Sequence, residues 1–162
     1  MKVLKFGGSS VGNSDRIKAV VGLIAEAAKK DRVAVVISAF QGVTDQLLKL
    51  AKQASSSEPY QELFEEVKQK HLDYAGELLG AKIAEARTLI DERFRELGDL
   101  LHGIALLKEC SPRAQDAVIG FGELLSCSII AAYGKSIGHP FTFVDARTMI
   151  FTDAAYGNAK VD

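Results

Sequence analysis

Residues 2–38 carry a succession of signals that few folds accommodate: a short apolar run, a Gly-Gly turn, an amphipathic helix and a β-branched run. The first ten of these read KVLKFGGSSV. Val3, Leu4 and Phe6 suit a strand, with Lys5 held near its C-terminal end. Gly7 and Gly8 allow a tight turn and let backbone N–H groups approach an anion without a Cβ in the way. Ser9 and Ser10 add hydroxyl donors. A helix starting near Asn13–Ser14 directs its partly positive end toward the same region. Lys5, Gly7, Gly8 and Ser9 are therefore candidate phosphate ligands, with Lys5 the candidate catalytic cation. A plain strand–turn–helix with a solvent lysine satisfies the same residues.

Residues 14–29 place Ile17, Val20, Val21, Ile24 and Ala28 on one helical face, with Ser14 as the expected cap. Residues 32–38 (RVAVVIS) are a nearly continuous β-branched run, the pattern of a strand covered on both faces. Together these make a βαβ unit, for which a right-handed crossover is expected. Residues 43–110 contain no convincing strand. They read as several helices, broken at Ser55–Pro59 and more softly at Leu79-Gly80. Within 82–109, Ile83, Leu89, Ile90, Phe94, Leu97, Leu101 and Ile104 recur at helical spacing, with charges on the opposite face. This helical stretch is expected to form a lid or a packing surface for a partner subunit, and a homo-oligomer is the expected assembly. Pro112 suits the first turn of a further helix. Residues 140–144 (PFTFV) and 148–152 (TMIFT) are further strand candidates. The expected fold class is α/β, a mainly parallel sheet flanked by helices, with a helical insertion over 43–110.

Composition narrows the function classes. The chain has 162 residues, 48% hydrophobic and 25% charged, as in ordinary globular proteins. A net charge of −1 gives no general attraction to nucleic acid or to an acidic membrane surface. Cys110 and Cys127 lack metal-type spacing and read as reduced thiols of a cytoplasmic protein. His71, His102 and His139 fit no recognised zinc spacing and read as structural or surface groups.

Within residues 117–134 (AVIGFGELLSCSIIAAYG), Glu123 is the single charged residue. The run is long enough to span a bilayer. Its glycines, its serines and Glu123 favour a buried helix of a sheet protein instead. The helical neighbours of Glu123 are Ile119, Gly120, Ser126 and Cys127, so its carboxylate is expected to be partly buried. Burial then requires a cationic or hydrogen-bonding partner; a substrate ammonium or Lys5 would serve. Gly134-Lys135-Ser136 imitates the end of a P-loop, but Ile129 stands where the first glycine belongs.

Three blocks in order carry a family resemblance. Lys5-Phe6-Gly7-Gly8-Ser9-Ser10-Val11 resembles the N-terminal signature of the aspartokinases, members of the amino-acid kinase superfamily. Val36-Ile37-Ser38-Ala39 followed by Gly42-Val43-Thr44-Asp45 resembles their second loop, and Gly122-Glu123-Leu124-Leu125-Ser126 their Gly-Glu helix. His102–Leu107 resembles, more weakly, the form fused to homoserine dehydrogenase. Phe121 departs from the pattern, since many members carry arginine or histidine there.

The resemblance implies transfer of the γ-phosphoryl of ATP, with Mg2+, to the side-chain carboxylate of L-aspartate. It implies that Ser38, Ala39 and Thr44 line the substrate side and that Glu123 receives the substrate ammonium; no protein metal ligand is implied. It also implies that residues 1–162 are the N-terminal, substrate-side portion of a kinase domain that continues further, and such a piece is expected to lack turnover. A non-catalytic phosphate-binding or assembly module is the alternative of another class. Kinases of acetylglutamate, carbamate or nucleoside monophosphates are rivals within the class.

Overall fold

The computed structural model describes residues 1–162. Strand β1 (Lys2–Phe6) and strand β2 (Val33–Ile37) pair in parallel, with Lys5 opposite Val36 and Phe6 opposite Ile37. Helix α1 (Ser14–Ala28) makes the crossover and buries Ile17, Val20, Val21 and Ile24. The βαβ unit read from the sequence is present. Its helix cap is Asn13 rather than Ser14: the Asn13 side chain accepts from the Arg16 N–H at 2.9 Å. Asn13 has extended backbone, as a cap must, whereas Ser14 is already helical and its hydroxyl donates to Glu77.

The two-stranded sheet is covered on one face only, which corrects the reading of β2 as doubly buried. Leu4, Phe6, Val35 and Ile37 pack on the core, whereas Val3 is 64% and Val36 51% exposed. A strand alternates its side chains between faces, and in this chain the helices all lie on the side of Leu4 and Ile37.

Four helices follow: α2 (Val43–Ser55), α3 (Gln61–Leu79), α4 (Ala84–Leu107) and α5 (Pro112–Ser136). Breaks fall where the sequence places them, at 56–60 and at Gly80, whose φ of +52° suits glycine. Ser111 caps α5 by accepting from the Ala114 N–H at 3.2 Å, and Pro112 occupies the first turn. By length and hydropathy α5 could cross a membrane, yet 61% of its most apolar window is buried against the rest of the protein. Leu47 and Leu50 of α2, Phe94 and Leu101 of α4, and Leu125 and Ile129 of α5 belong to one continuous core.

The strands expected at 140–144 and 148–152 do not form. The first segment is irregular, and the second begins at the end of a 3-10 turn over Ala146–Thr148. An isolated antiparallel bridge, Thr152 to Val161, is the one pairing there. Strands need an adjacent ladder, and here Val144, Met149, Ile150 and Phe151 remain more than half exposed. Phe141 packs instead over Gly134, where any Cβ would collide with its ring. That contact also disposes of the P-loop imitation, which lies inside α5.

Candidate active site

The chain leaves β1 at Phe6 and passes through Gly7 into a 3-10 turn over Gly8–Val11. The turn does not use the left-handed freedom of glycine: Gly7 has φ −80° and neither glycine has positive φ. What the glycines provide is space. A Cβ on Gly8 would lie 3.1 Å from the Ala39 carbonyl oxygen, so the turn packs tightly on the loop after β2. A Cβ on Gly7 would meet nothing within 4 Å, so that stretch of backbone is open to a ligand. Helix α1 begins at Ser14, where the sequence places its start, after the 3-10 turn and Gly12.

Lys5 lies on the open face of the sheet, exposed and without a salt bridge or hydrogen bond in this chain. It is a free cation one residue before the Phe6–Gly7 exit. Ser9 is exposed; its carbonyl oxygen accepts from the Arg16 guanidinium at 2.7 Å, which holds the turn to α1.

The loop after β2 forms the second wall. Ser38 N–H continues the ladder to Phe6 O at 3.0 Å. Ala39 and Phe40 are buried, and Gly42 adopts φ +80° just before α2, a conformation glycine alone takes easily. Thr44 follows in the first turn of α2, exposed.

Helix α5 reaches this loop from behind. The Ala39 N–H donates to Glu123 Oε1 at 3.1 Å, and Ser126 Oγ donates to the Ser38 carbonyl at 2.9 Å. Gly122 is required for this approach, since a Cβ there would come within 2.7 Å of the Ala39 Cβ. Glu123 is exposed rather than partly buried, and it forms no ion pair with Lys5. Its carboxylate faces outward beside the loop, with one oxygen held and the other without a hydrogen bond in this chain. Phe121 is a core residue, 5% exposed, which accounts for an apolar side chain at that position.

The three sequence blocks thus converge: Gly8 abuts Ala39, and Ala39 donates to Glu123. Sequence reasoning missed Lys70 and Tyr74 of α3. Lys70 Nζ donates to the Gln41 carbonyl and Tyr74 Oη to the Gly12 carbonyl, both at 2.7 Å. Both sit in a run of ordinary helical polar residues, and no local signal marks them. Burial above all pushes the Cys127 thiol pKa upward, and its Sγ donates to the Ile37 carbonyl at 3.6 Å. No three of the His, Cys, Asp and Glu side chains gather as a metal site. Magnesium commonly takes one or two carboxylates together with substrate phosphates, so this chain offers no cage for it.

The sequence pattern that defines the amino acid kinase family matches residues 1–162. The chain belongs to the amino acid kinase family. It is 36% identical over 165 residues to aspartokinase 2, chloroplastic, of Arabidopsis thaliana, an alignment covering 98% of this chain and 29% of that protein. It is 27% identical to the bifunctional aspartokinase/homoserine dehydrogenase of Buchnera aphidicola, over 100% of this chain and 20% of that one. The structure of Escherichia coli aspartokinase III in complex with lysine and aspartate superposes with a TM-score of 0.86 at 25% identity, covering 99% of this chain and 34% of that one. This amino acid kinase chain therefore spans 20% to 34% of the length of these relatives, and it has the α/β fold of their N-terminal part.

Proposed function

We propose that this kinase chain is the N-terminal, substrate-side portion of an aspartate kinase, with residues 43–110 a helical insertion in it. The reaction is transfer of the γ-phosphoryl group of ATP to the side-chain carboxylate of L-aspartate. A carboxylate oxygen forms the new bond to phosphorus while the bond from phosphorus to the bridging oxygen of ADP breaks, giving aspartyl phosphate and ADP. The acceptor is already ionised near neutral pH, so no general base is needed. A site built from a lysine, amides and hydroxyls suffices for such chemistry, which depends on positioning and charge stabilisation.

In this reading Lys5 and the N–H groups of Gly7 and Gly8 face the phosphates, with the Ser9 hydroxyl beside them. Ser38, Ala39 and Thr44 line the acceptor side, and the free oxygen of Glu123 takes the substrate ammonium. When bound with the nucleotide, magnesium would neutralise phosphate charge. The observation that carries the reading is the contact of the Gly8 turn with the Ala39 loop, and of that loop with Glu123. It brings a cation, open backbone and a carboxylate to neighbouring strand ends.

The test is ADP release by the full-length protein with ATP, magnesium and a panel of acceptors. Aspartate is expected to drive release, and acetylglutamate, carbamate and nucleoside monophosphates are not. No aspartate-dependent release from a folded full-length protein would refute the proposal. A preference for another acceptor would move the chain to a sister activity.

A further inference from the structure

Helix α3 carries a row of side chains that reaches both walls of the site. Lys70, Tyr74 and Glu77 are spaced four and three residues apart and therefore share one helical face. Lys70 Nζ donates to the Gln41 carbonyl in the loop after β2. Tyr74 Oη donates to the Gly12 carbonyl at the end of the phosphate turn, and Glu77 accepts from Ser14 just beyond it. Between them the Phe40 ring, 1% exposed, lies 4.8 Å from the Tyr74 ring and 5.4 Å from the His71 ring. The walls also touch directly, since the Gln41 side chain occupies the space a Cβ on Gly12 would need. Helix α5 holds only the Ser38–Ala39 half of the second loop. The Gln41 half and the far end of the phosphate turn are held by α3.

We propose that Lys70 and Tyr74 are positioning residues: α3 clamps the phosphate turn to the acceptor loop and so sets the distance between phosphoryl donor and acceptor. This inference rests on the aspartate kinase reading for its catalytic consequence, and on the hydrogen bonds alone for the clamp. Partial burial lowers the Lys70 pKa, and the hydrogen bond to the Gln41 carbonyl opposes that shift by favouring the charged ammonium. Such a clamp matters because phosphoryl transfer needs its reactants in near-attack geometry, where a displacement of about 1 Å costs up to roughly a hundredfold in rate.

The experiment compares full-length wild type with Lys70→Met, Lys70→Arg and Tyr74→Phe. Tyr74→Phe keeps the ring against Phe40 and removes only the hydroxyl. Amide hydrogen exchange over residues 8–13 and 38–43 is expected to quicken several-fold in Lys70→Met and Tyr74→Phe, a local loosening below global unfolding. In the same variants kcat should fall by about tenfold with KM for ATP and aspartate nearly unchanged, since geometry rather than binding is lost. Lys70→Arg should recover most of both. Unchanged exchange in both loops overturns the clamp. Quickened exchange with unchanged kcat overturns its catalytic role. Absence of aspartate-dependent turnover in wild type would defeat the aspartate kinase reading, while the exchange data would still decide the clamp.

Discussion

Lys5 and Glu123 are the charges on which the proposed chemistry turns, and their surroundings differ. Lys5 has no partner within the chain, so its replacement removes charge without leaving a buried group unsatisfied. Lys5→Ala in the full-length protein should therefore leave the unfolding midpoint nearly unchanged. It should lower kcat by on the order of a hundredfold, as for removal of one electrostatic contact to a transition state. Near-normal turnover would dismiss the role. Glu123 already accepts from Ala39, and a glutamine there keeps that bond through its amide oxygen. Glu123→Gln should raise KM for aspartate by about tenfold to a hundredfold, the worth of a charge-assisted hydrogen bond, with KM for ATP unchanged. Equal weakening of both substrates, or loss of folding, would make Glu123 a structural residue. The identity of these residues was readable from the motifs, whereas the exposure of Glu123 was not. Small and apolar helical neighbours suggested burial, but Glu123 points past Ala39 toward solvent.

Elements supply the next scale, and α3 has a titratable weak point. His71 is completely buried; its Nδ1 lies 2.7 Å from the Val67 carbonyl and its Nε2 has no partner. Burial, chiefly, pulls its pKa down from 6.5 to about 4. The unfolded chain takes up the proton below pH 6.5 while the folded one resists it until about pH 4. Stability is thus complete above pH 6.5 and declines as pH falls toward 4, by on the order of 3 kcal/mol from this residue. Urea midpoints across that range should show the slope, and His71→Leu should flatten it; an unaltered slope would assign it to other groups. At the start of α1, Asn13→Ala should cost about 1 kcal/mol by loss of the cap, measurable by urea denaturation. A neutral result would return capping to Ser14. The helices themselves were legible because apolar side chains recur on one face over many turns. Which neighbouring residue serves as cap depends on a backbone angle that the sequence leaves open.

For the whole molecule, the open sheet face is the decisive surface. Val3 and Val36 are exposed on it at diagonal positions, with Ala34 opposite Val3 and Lys5 opposite Val36, and Met149, Ile150 and Phe151 are exposed as well. Both strands also keep a free edge, and exposed apolar faces and edges favour association. Residues 1–162 expressed alone should therefore self-associate on size-exclusion chromatography, and Val3→Lys with Val36→Lys should reduce this. A strictly monomeric species would show that the face is tolerated in water.

By itself the sequence determined the local chemistry: the βαβ order, the helices with their breaks, the Gly-Gly turn and the three motif blocks. Each of these rests on neighbours within a few residues, through periodicity, turn preference or side-chain type. Tertiary structure alone decided the rest. Strands at 140–144 and 148–152 failed for want of a ladder to join, although their composition was right for one. Lys70 and Tyr74 reach Gln41 and Gly12 across 29 and 62 positions of sequence. Nothing local distinguishes them from the other polar residues of α3. Gly122 likewise is needed because the Ala39 loop comes to rest against α5. Contacts of that kind exist only once the elements have packed, so no window of sequence contains them.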